Sequence, residues 1–305
     1  MITATSLHSV SYSGSWGQAF LDLRQFIDKA AELGYDGVML MAKRPHLSVL
    51  DYGERECARL RQHLDRRNVR AVCIAGYTNF TADLEHGEIP HREIQSQHVT
   101  ELARIARDLG GDLVRVFTGY ENPAAGLTAQ WKIVVDALRE CSRRAAEFGV
   151  TIGVQNHHDI AVGYESYHDL LQTVNEPNCK ALFDAWAPAL HGANLEAAAR
   201  LLGPRTVHTT VANYQFRPRY RYEPALVNYI EHKSAVQAVP IDEGFIDYKV
   251  FLRTMGDNGF SGSVAYEMCS PILGGGELGN LDAYSRKFFE YIEELRPAGS
   301  LSIRA

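Results

Sequence analysis

GVTIGVQNHHD, residues 149–159, joins an apolar run to a dense cluster of metal-capable and proton-transferring side chains. Read as a strand, its side chains alternate between two faces. Val150, Ile152 and Val154 take one face, and Thr151, Gly153 and Gln155 the other. If the extended path continues, His157 points the same way as Gln155. A face of small residues ending in Gln and His describes a strand that delivers polar groups to the mouth of a barrel. A half-buried strand followed by a polar loop would look the same in isolation, so the neighbouring segments have to decide.

On both sides of this stretch, short β-rich runs alternate with amphipathic helices. Strands are expected at residues 3–12, 37–41, 69–77 and 112–117 before it, and at 180–184, 206–211 and 262–268 after it. Helices are expected at residues 20–33, 92–109, 129–148, 164–174, 194–202, 248–258 and 281–295. Asp51 with Glu54 three residues later reads as a capping box that opens one further helix. Helix–glycine–strand junctions recur as LGYDGV, LGGDLV, FGVTI and NGFSGSV, as a repeated βα unit requires. Eight strands alternating with eight helices predict a single-domain α/β fold, the (β/α)8 TIM barrel, over residues 1–305. A doubly wound open sheet would need a glycine-rich phosphate loop after the first strand, and SYSGSWGQ is not one. Residues 212–247 form a long connection rich in aromatics and arginines, NYQFRPRYRYEP, expected as a lid, a binding loop or an oligomer contact. Residues 296–305 are expected to fray.

Composition narrows the function classes. The chain has 305 residues and a hydrophobic fraction of 46%, that of an ordinary globular protein. A net charge of −6 argues against a nucleic-acid-binding surface. The first residues, MITATSLHSVSYSGSW, lack the basic and apolar regions of a signal peptide, and no apolar run is long enough to cross a bilayer. Five scattered cysteines without a CxxC pair read as reduced thiols. The expectation is a cytoplasmic protein with a small-molecule substrate, without nucleic-acid or membrane partners.

In a TIM barrel the active site lies at the C-terminal ends of the strands. The polar residues closing the late strands are Gln155, Asp184, His208 and Glu267. Alternation puts Glu267 with Ser263 and Ala265, His208 with Thr206 and Thr210, and Asp184 with Leu182. One amide oxygen, two carboxylates and one imidazole then converge. This mostly oxygen set suits Mn²⁺ above all, with Mg²⁺, Co²⁺ or Zn²⁺ as alternatives. A single strand-end His or Asp is ordinarily structural, but four on consecutive strands point to a metal site. Arg44 and His46 after the second strand, Arg115 and Phe117 in the fourth, Tyr120 beyond it, and Trp186 after Asp184 are candidates for substrate binding. Aromatic faces pack on sugar C–H surfaces, and arginine matches hydroxyl or carboxylate oxygens.

IGVQNHHD, LFDAW, the VH of the seventh strand and VAYEM followed by CSP resemble the metal-binding strands of the xylose-isomerase-like TIM barrels. That superfamily includes the sugar phosphate isomerases and epimerases, and the C-glycoside deglycosidase catalytic subunits. The resemblance covers nearly the whole chain and implies a divalent metal on Gln155, Asp184, His208 and Glu267. It also implies a homo-oligomer, or a hetero-oligomer with a small second subunit. The epimerases of this superfamily generally carry a Glu where this chain has Gln155. The resemblance therefore implies enolate chemistry on a keto sugar with Glu267 as one proton-transfer group and His157 as the base. Without a second carboxylate, β-elimination from a 3-keto-glycoside is the expected branch, and isomerisation or epimerisation through an enediolate the alternative.

Overall fold

The computed structural model describes residues 1–295. Strands and helices alternate through β1 (Ile2–His8), α1 (Leu23–Glu32), β2 (Gly37–Met41), α2 (Glu54–Arg67), β3 (Arg70–Ala75), α3 (His91–Asp108), β4 (Leu113–Val116) and α4 (Leu127–Ala146). They continue through β5 (Thr151–Gln155), α5 (Tyr164–Val174), β6 (Cys179–Leu182), α6 (Trp186–Leu190), α7 (Leu195–Leu202) and β7 (His208–Val211). The chain then forms β8 (Asn213–Glu223), β9 (Asn228–Val239), α8 (Tyr248–Asp257), β10 (Gly262–Tyr266) and α9 (Leu278–Glu293).

Eight strands form one parallel sheet in the order β6-β5-β4-β3-β2-β1-β10-β7. The first and last barrel strands are neighbours, with Ile2 opposite Gly262 and Leu7 opposite Tyr266. Between β6 and β7 the sheet closes through the bridge Ala181–Thr206 and a 3.0 Å hydrogen bond from Val207 N–H to the Ala181 carbonyl. This is the (β/α)8 barrel expected from the alternation. An inner cluster of Met39, Cys73, Ala75, Leu113, Leu182 and Ala265 fills the barrel, and a larger apolar layer lies between the strands and the helices.

Local chemistry sets where the elements end. His8 Nδ1 accepts the Val10 N–H at 3.2 Å. The chain therefore turns into a short 3-10 segment at Ser9–Tyr12 rather than extending the first strand to residue 12. Gly110 has a left-handed φ of +76°, and a Cβ on Gly111 would lie 2.4 Å from the Ala71 carbonyl oxygen. The glycine pair thus stops α3 and lets the chain pass close to β3. The hydroxyl of Tyr167, from α5, donates to the Val154 carbonyl and accepts the Leu182 N–H at 3.2 Å, tying β5 to β6.

Two expectations need correction. The box at Asp51 and Glu54 does not form: α2 starts at Glu54 with Gly53 as its cap, and Asp51 instead accepts two hydrogen bonds from Arg44 at 2.7 and 2.6 Å. A capping box does form at α1, between Asp22 and Gln25. The connection 212–247 is largely ordered, because β8 and β9 pair antiparallel into a hairpin from Asn213–Val239 out to Glu223–Asn228. Residues 296–305, expected to fray, lie outside the described residues.

Candidate active site

The C-terminal ends of β4, β5, β6 and β7 meet in a buried polar network centred on Gln155. Its Oε1 accepts from Arg115 Nη1 at 2.7 Å. Its Nε2 donates to Asp184 Oδ2 at 2.5 Å and to Thr210 Oγ1 at 3.1 Å. The cationic donor on Oε1 and the carboxylate on Nε2 fix which end of the amide is which. Asp184 Oδ1 accepts the Trp186 N–H at 3.0 Å. Asn156 holds the backbone of Asp184 from both sides, accepting its N–H at 2.8 Å and donating to its carbonyl at 3.0 Å. Burial pushes the Asp184 carboxyl above its ordinary range, against the opposing hydrogen bond from Gln155.

Glu267 follows β10 and faces the start of the chain. His8 Nε2 lies 3.8 Å from Glu267 Oε2. Because His8 Nδ1 accepts a backbone N–H, the neutral ring carries its proton on Nε2, directed at the carboxylate. Burial raises the Glu267 carboxyl to about 7; the nearby Asp184 charge adds to this, while Arg115 and the Cys269 thiol oppose it.

His208 opens β7. Its Nδ1 pairs with Ser263 Oγ at 2.6 Å, and its Nε2 is buried without a partner. Burial, then Arg115, lowers the imidazole to about 3. The strand-seven group that touches Gln155 and Asp184 is Thr210.

His157 is half-buried, and its N–H donates to the Gln155 carbonyl at 2.8 Å. The chain therefore turns at Asn156 instead of continuing extended. His157 Nδ1 accepts the His158 N–H at 2.8 Å. The ring stands 4.7 Å from Phe117 and 5.8 Å from Trp186. Burial, with His158 and Arg115, lowers it to about 3. Tyr120 stacks on His158 at 4.1 Å, and Trp186 stacks on Tyr214 at 4.9 Å. Phe117, His157 and Trp186 thus lie side by side, with the exposed Tyr120 joined to them through His158.

Arg44 and His46 have other partners. Arg44 pairs with Asp51. His46 Nε2 lies 3.0 Å from the Leu21 carbonyl, with its ring stacked near Phe20 and Phe26.

The donor types fit a divalent ion: His208 presents one buried free nitrogen, with Ser263 fixing its ring, and the carboxylates of Asp184 and Glu267 lie near enough to each other to interact. Among the described residues, no three His, Cys, Asp or Glu side chains stand grouped tightly enough to enclose an ion as they lie. Gln155 differs from the other three expected ligands, because its oxygen already accepts from Arg115.

Sequence reading passed over Thr210, His8, Cys269 and Tyr214. Thr210 shares the face of His208, and His8 closes the first strand, so alternation alone could have found both.

The architecture has many solved counterparts. D-psicose 3-epimerase from Clostridium cellulolyticum H10, solved with D-tagatose, superposes with a TM-score of 0.73 at 16% identity, covering 95% of this chain and 98% of that one. The probable 3-DHS dehydratase AsbF from Bacillus anthracis gives 0.70 at 17% identity, with 95% and 98% coverage. The IOLI protein with a bound zinc atom gives 0.70 at 15% identity, with 96% and 97% coverage. At these identities the likeness is one of fold. No curated protein matches the sequence. The family described as xylose isomerase-like TIM barrel matches residues 27–293. With the barrel and its strand-end cluster, that match makes this chain a member of the xylose isomerase-like TIM barrel family.

Proposed function

We propose that the barrel mouth enolises a keto sugar and returns the proton to the neighbouring carbon, as an aldose–ketose isomerase does. The observation that carries this reading is the unequal bonding of the two carboxylates, Asp184 and Glu267. Asp184 accepts from Trp186, Gln155 and Thr210 through its two oxygens. Glu267 meets the His8 ring and the Cys269 thiol, which leaves it acceptor capacity for a proton from carbon. Gln155 is an amide and does not titrate near neutral pH. A single carboxylate base suffices for transfer between adjacent carbons on one face of a cis-enediolate. Aldose–ketose isomerisation therefore suits the site better than a two-carboxylate epimerisation. Phe117, His157 and Trp186 would pack the C–H face of the sugar.

Asp184, His208 and Glu267 are the residues that would hold a divalent ion, with Gln155 bracing Asp184 beside them. Such an ion, when bound, supplies acidification of the carbon-bound hydrogen and neutralises developing negative charge. Asp184→Ala and His208→Ala are expected to lose the ion with the barrel intact, as read by elemental analysis and circular dichroism. Wild-type metal content in both variants would remove these residues as ligands.

Loss of a β leaving group from the same enediolate is the other branch. Turnover of a panel of ketoses, aldoses and 3-keto-glycosides, with products identified by mass and NMR, separates the two. The expected product has unchanged mass and a migrated carbonyl. An unsaturated sugar with a released aglycone would replace the isomerase reading with a lyase.

A further inference from the structure

Arg115 is only 3% exposed, yet most of its donors are unused. Nη1 donates to Gln155, whereas Nε and Nη2 are buried and meet no acceptor at hydrogen-bond geometry, with the Tyr77 hydroxyl close enough for Arg115 to oppose the rise that burial gives it. The faces of the guanidinium are occupied: its carbon lies 4.0 Å from the Phe117 ring centroid and 4.8 Å from that of Tyr77. Covered faces and one engaged corner leave a single edge, Nε–H with Nη2–H. In the guanidinium plane these two donors are parallel neighbours, the pair that meets both oxygens of a carboxylate. A buried donor left unmet costs about 1–3 kcal/mol, and here two lie side by side at the mouth of the barrel.

The surrounding charges do not fill this edge. Glu267 and Asp184 are near enough to interact electrostatically, Glu267 with Arg115 and with Asp184. The oxygens of Asp184 accept from Gln155, Thr210 and Trp186 instead, and Glu267 faces His8. Tyr214 Oη and Trp186 Nε1 are also buried without partners, so further polar donors of this region await an acceptor.

We infer that Arg115 is the seat of a carboxylate on the substrate, which makes the substrate class a sugar acid rather than a neutral or phosphorylated sugar. This rests on the enolisation reading and adds the substrate class to it. A planar pair of oxygens fits one guanidinium edge, whereas a neutral hydroxymethyl group at the same carbon offers one oxygen and no charge.

The test is calorimetric titration of the intact protein with D-gluconate and with D-glucitol, which differ only in having a carboxylate or a hydroxymethyl at one end. The four- and five-carbon pairs and inorganic phosphate are titrated beside them. Wild type is expected to bind an aldonate about 10²-fold more tightly than its alditol, the scale of a charge-assisted bidentate pair. Arg115→Lys keeps the charge but loses the edge, and should lose most of that preference while retaining its circular dichroism spectrum. The wild-type comparison needs no variant to fold. Equal binding of acid and alditol, binding of neither, stronger binding of phosphate, or a folded Arg115→Lys that keeps the preference would each overturn the proposal. Proton exchange on neutral ketoses, measured separately, decides the enolisation reading: it can persist when the carboxylate seat fails, and it can fail when aldonates bind.

Discussion

Gln155 closes β5 at the centre of the buried network, and the structure shows what its amide does there. It joins the guanidinium of Arg115 to the carboxylate of Asp184, a bridge that needs an acceptor at one end and a donor at the other. A carboxylate would serve Arg115 but repel Asp184. Gln155→Ala would leave a buried Arg115 donor and an Asp184 acceptor short of a partner. A loss of about 2 kcal/mol or more is expected, measured by urea unfolding, because each unmet buried group costs about 1–3 kcal/mol. A loss below about 0.5 kcal/mol would show that the bridge is dispensable. The residue types at this centre were legible in the sequence, since alternation places Gln155, Asp184 and Glu267 on inward faces. Their pairings were not. Which donor meets which oxygen depends on side-chain reach across neighbouring strands, and His8 meets Glu267 only because barrel closure sets β1 beside β10.

At the scale of elements, the strand and helix order was legible because glycine punctuates it, as at Gly110-Gly111. The Asp51–Glu54 box misled because Arg44, seven residues before Asp51, competes for its carboxylate with two charge-assisted bonds. The hairpin β8–β9 was hidden by its arginines and aromatics, which break a simple apolar–polar alternation since both faces of its outer half are exposed. Phe216, Tyr220, Leu226, Val227 and Tyr229 all stand exposed there, so this outer half adds little to the core. Replacing residues 218–234 by Asn-Gly, a turn that suits two paired strands, joins Arg217 to Ala235, which are already opposite each other. The melting temperature is expected to change by no more than about 2 °C, within the range of surface changes. A fall of about 10 °C would show that the arm packs on the barrel in solution.

For the whole molecule, burial of imidazoles couples stability to pH. His46 and His98 are both lowered from their ordinary value, each chiefly by burial. In the unfolded chain such groups take up a proton near pH 6.5; in the fold they do so only at lower pH. The unfolded state then binds more protons across that interval, so stability rises with pH there and is lost as pH falls below about 6.5. Thermal melts at about pH 7.5, 6.5 and 5.5 should show a progressive decline, smaller in His98→Gln. A flat profile would mean that neither ring stays neutral in the fold. Among the described residues no helix is long and apolar enough to cross a membrane.

In the proposed reaction Glu267 moves a proton on and off carbon. The most direct measurement is exchange of the substrate α-hydrogen for deuterium in D2O, followed by NMR on keto sugars and keto sugar acids, for the wild type and Glu267→Gln. The wild type should wash deuterium into a carbon next to the carbonyl, and Glu267→Gln should slow this by about 10²–10⁴-fold, the usual scale for a positioned base. Wild-type exchange indistinguishable from buffer, or equal rates in wild type and Glu267→Gln, would contradict it.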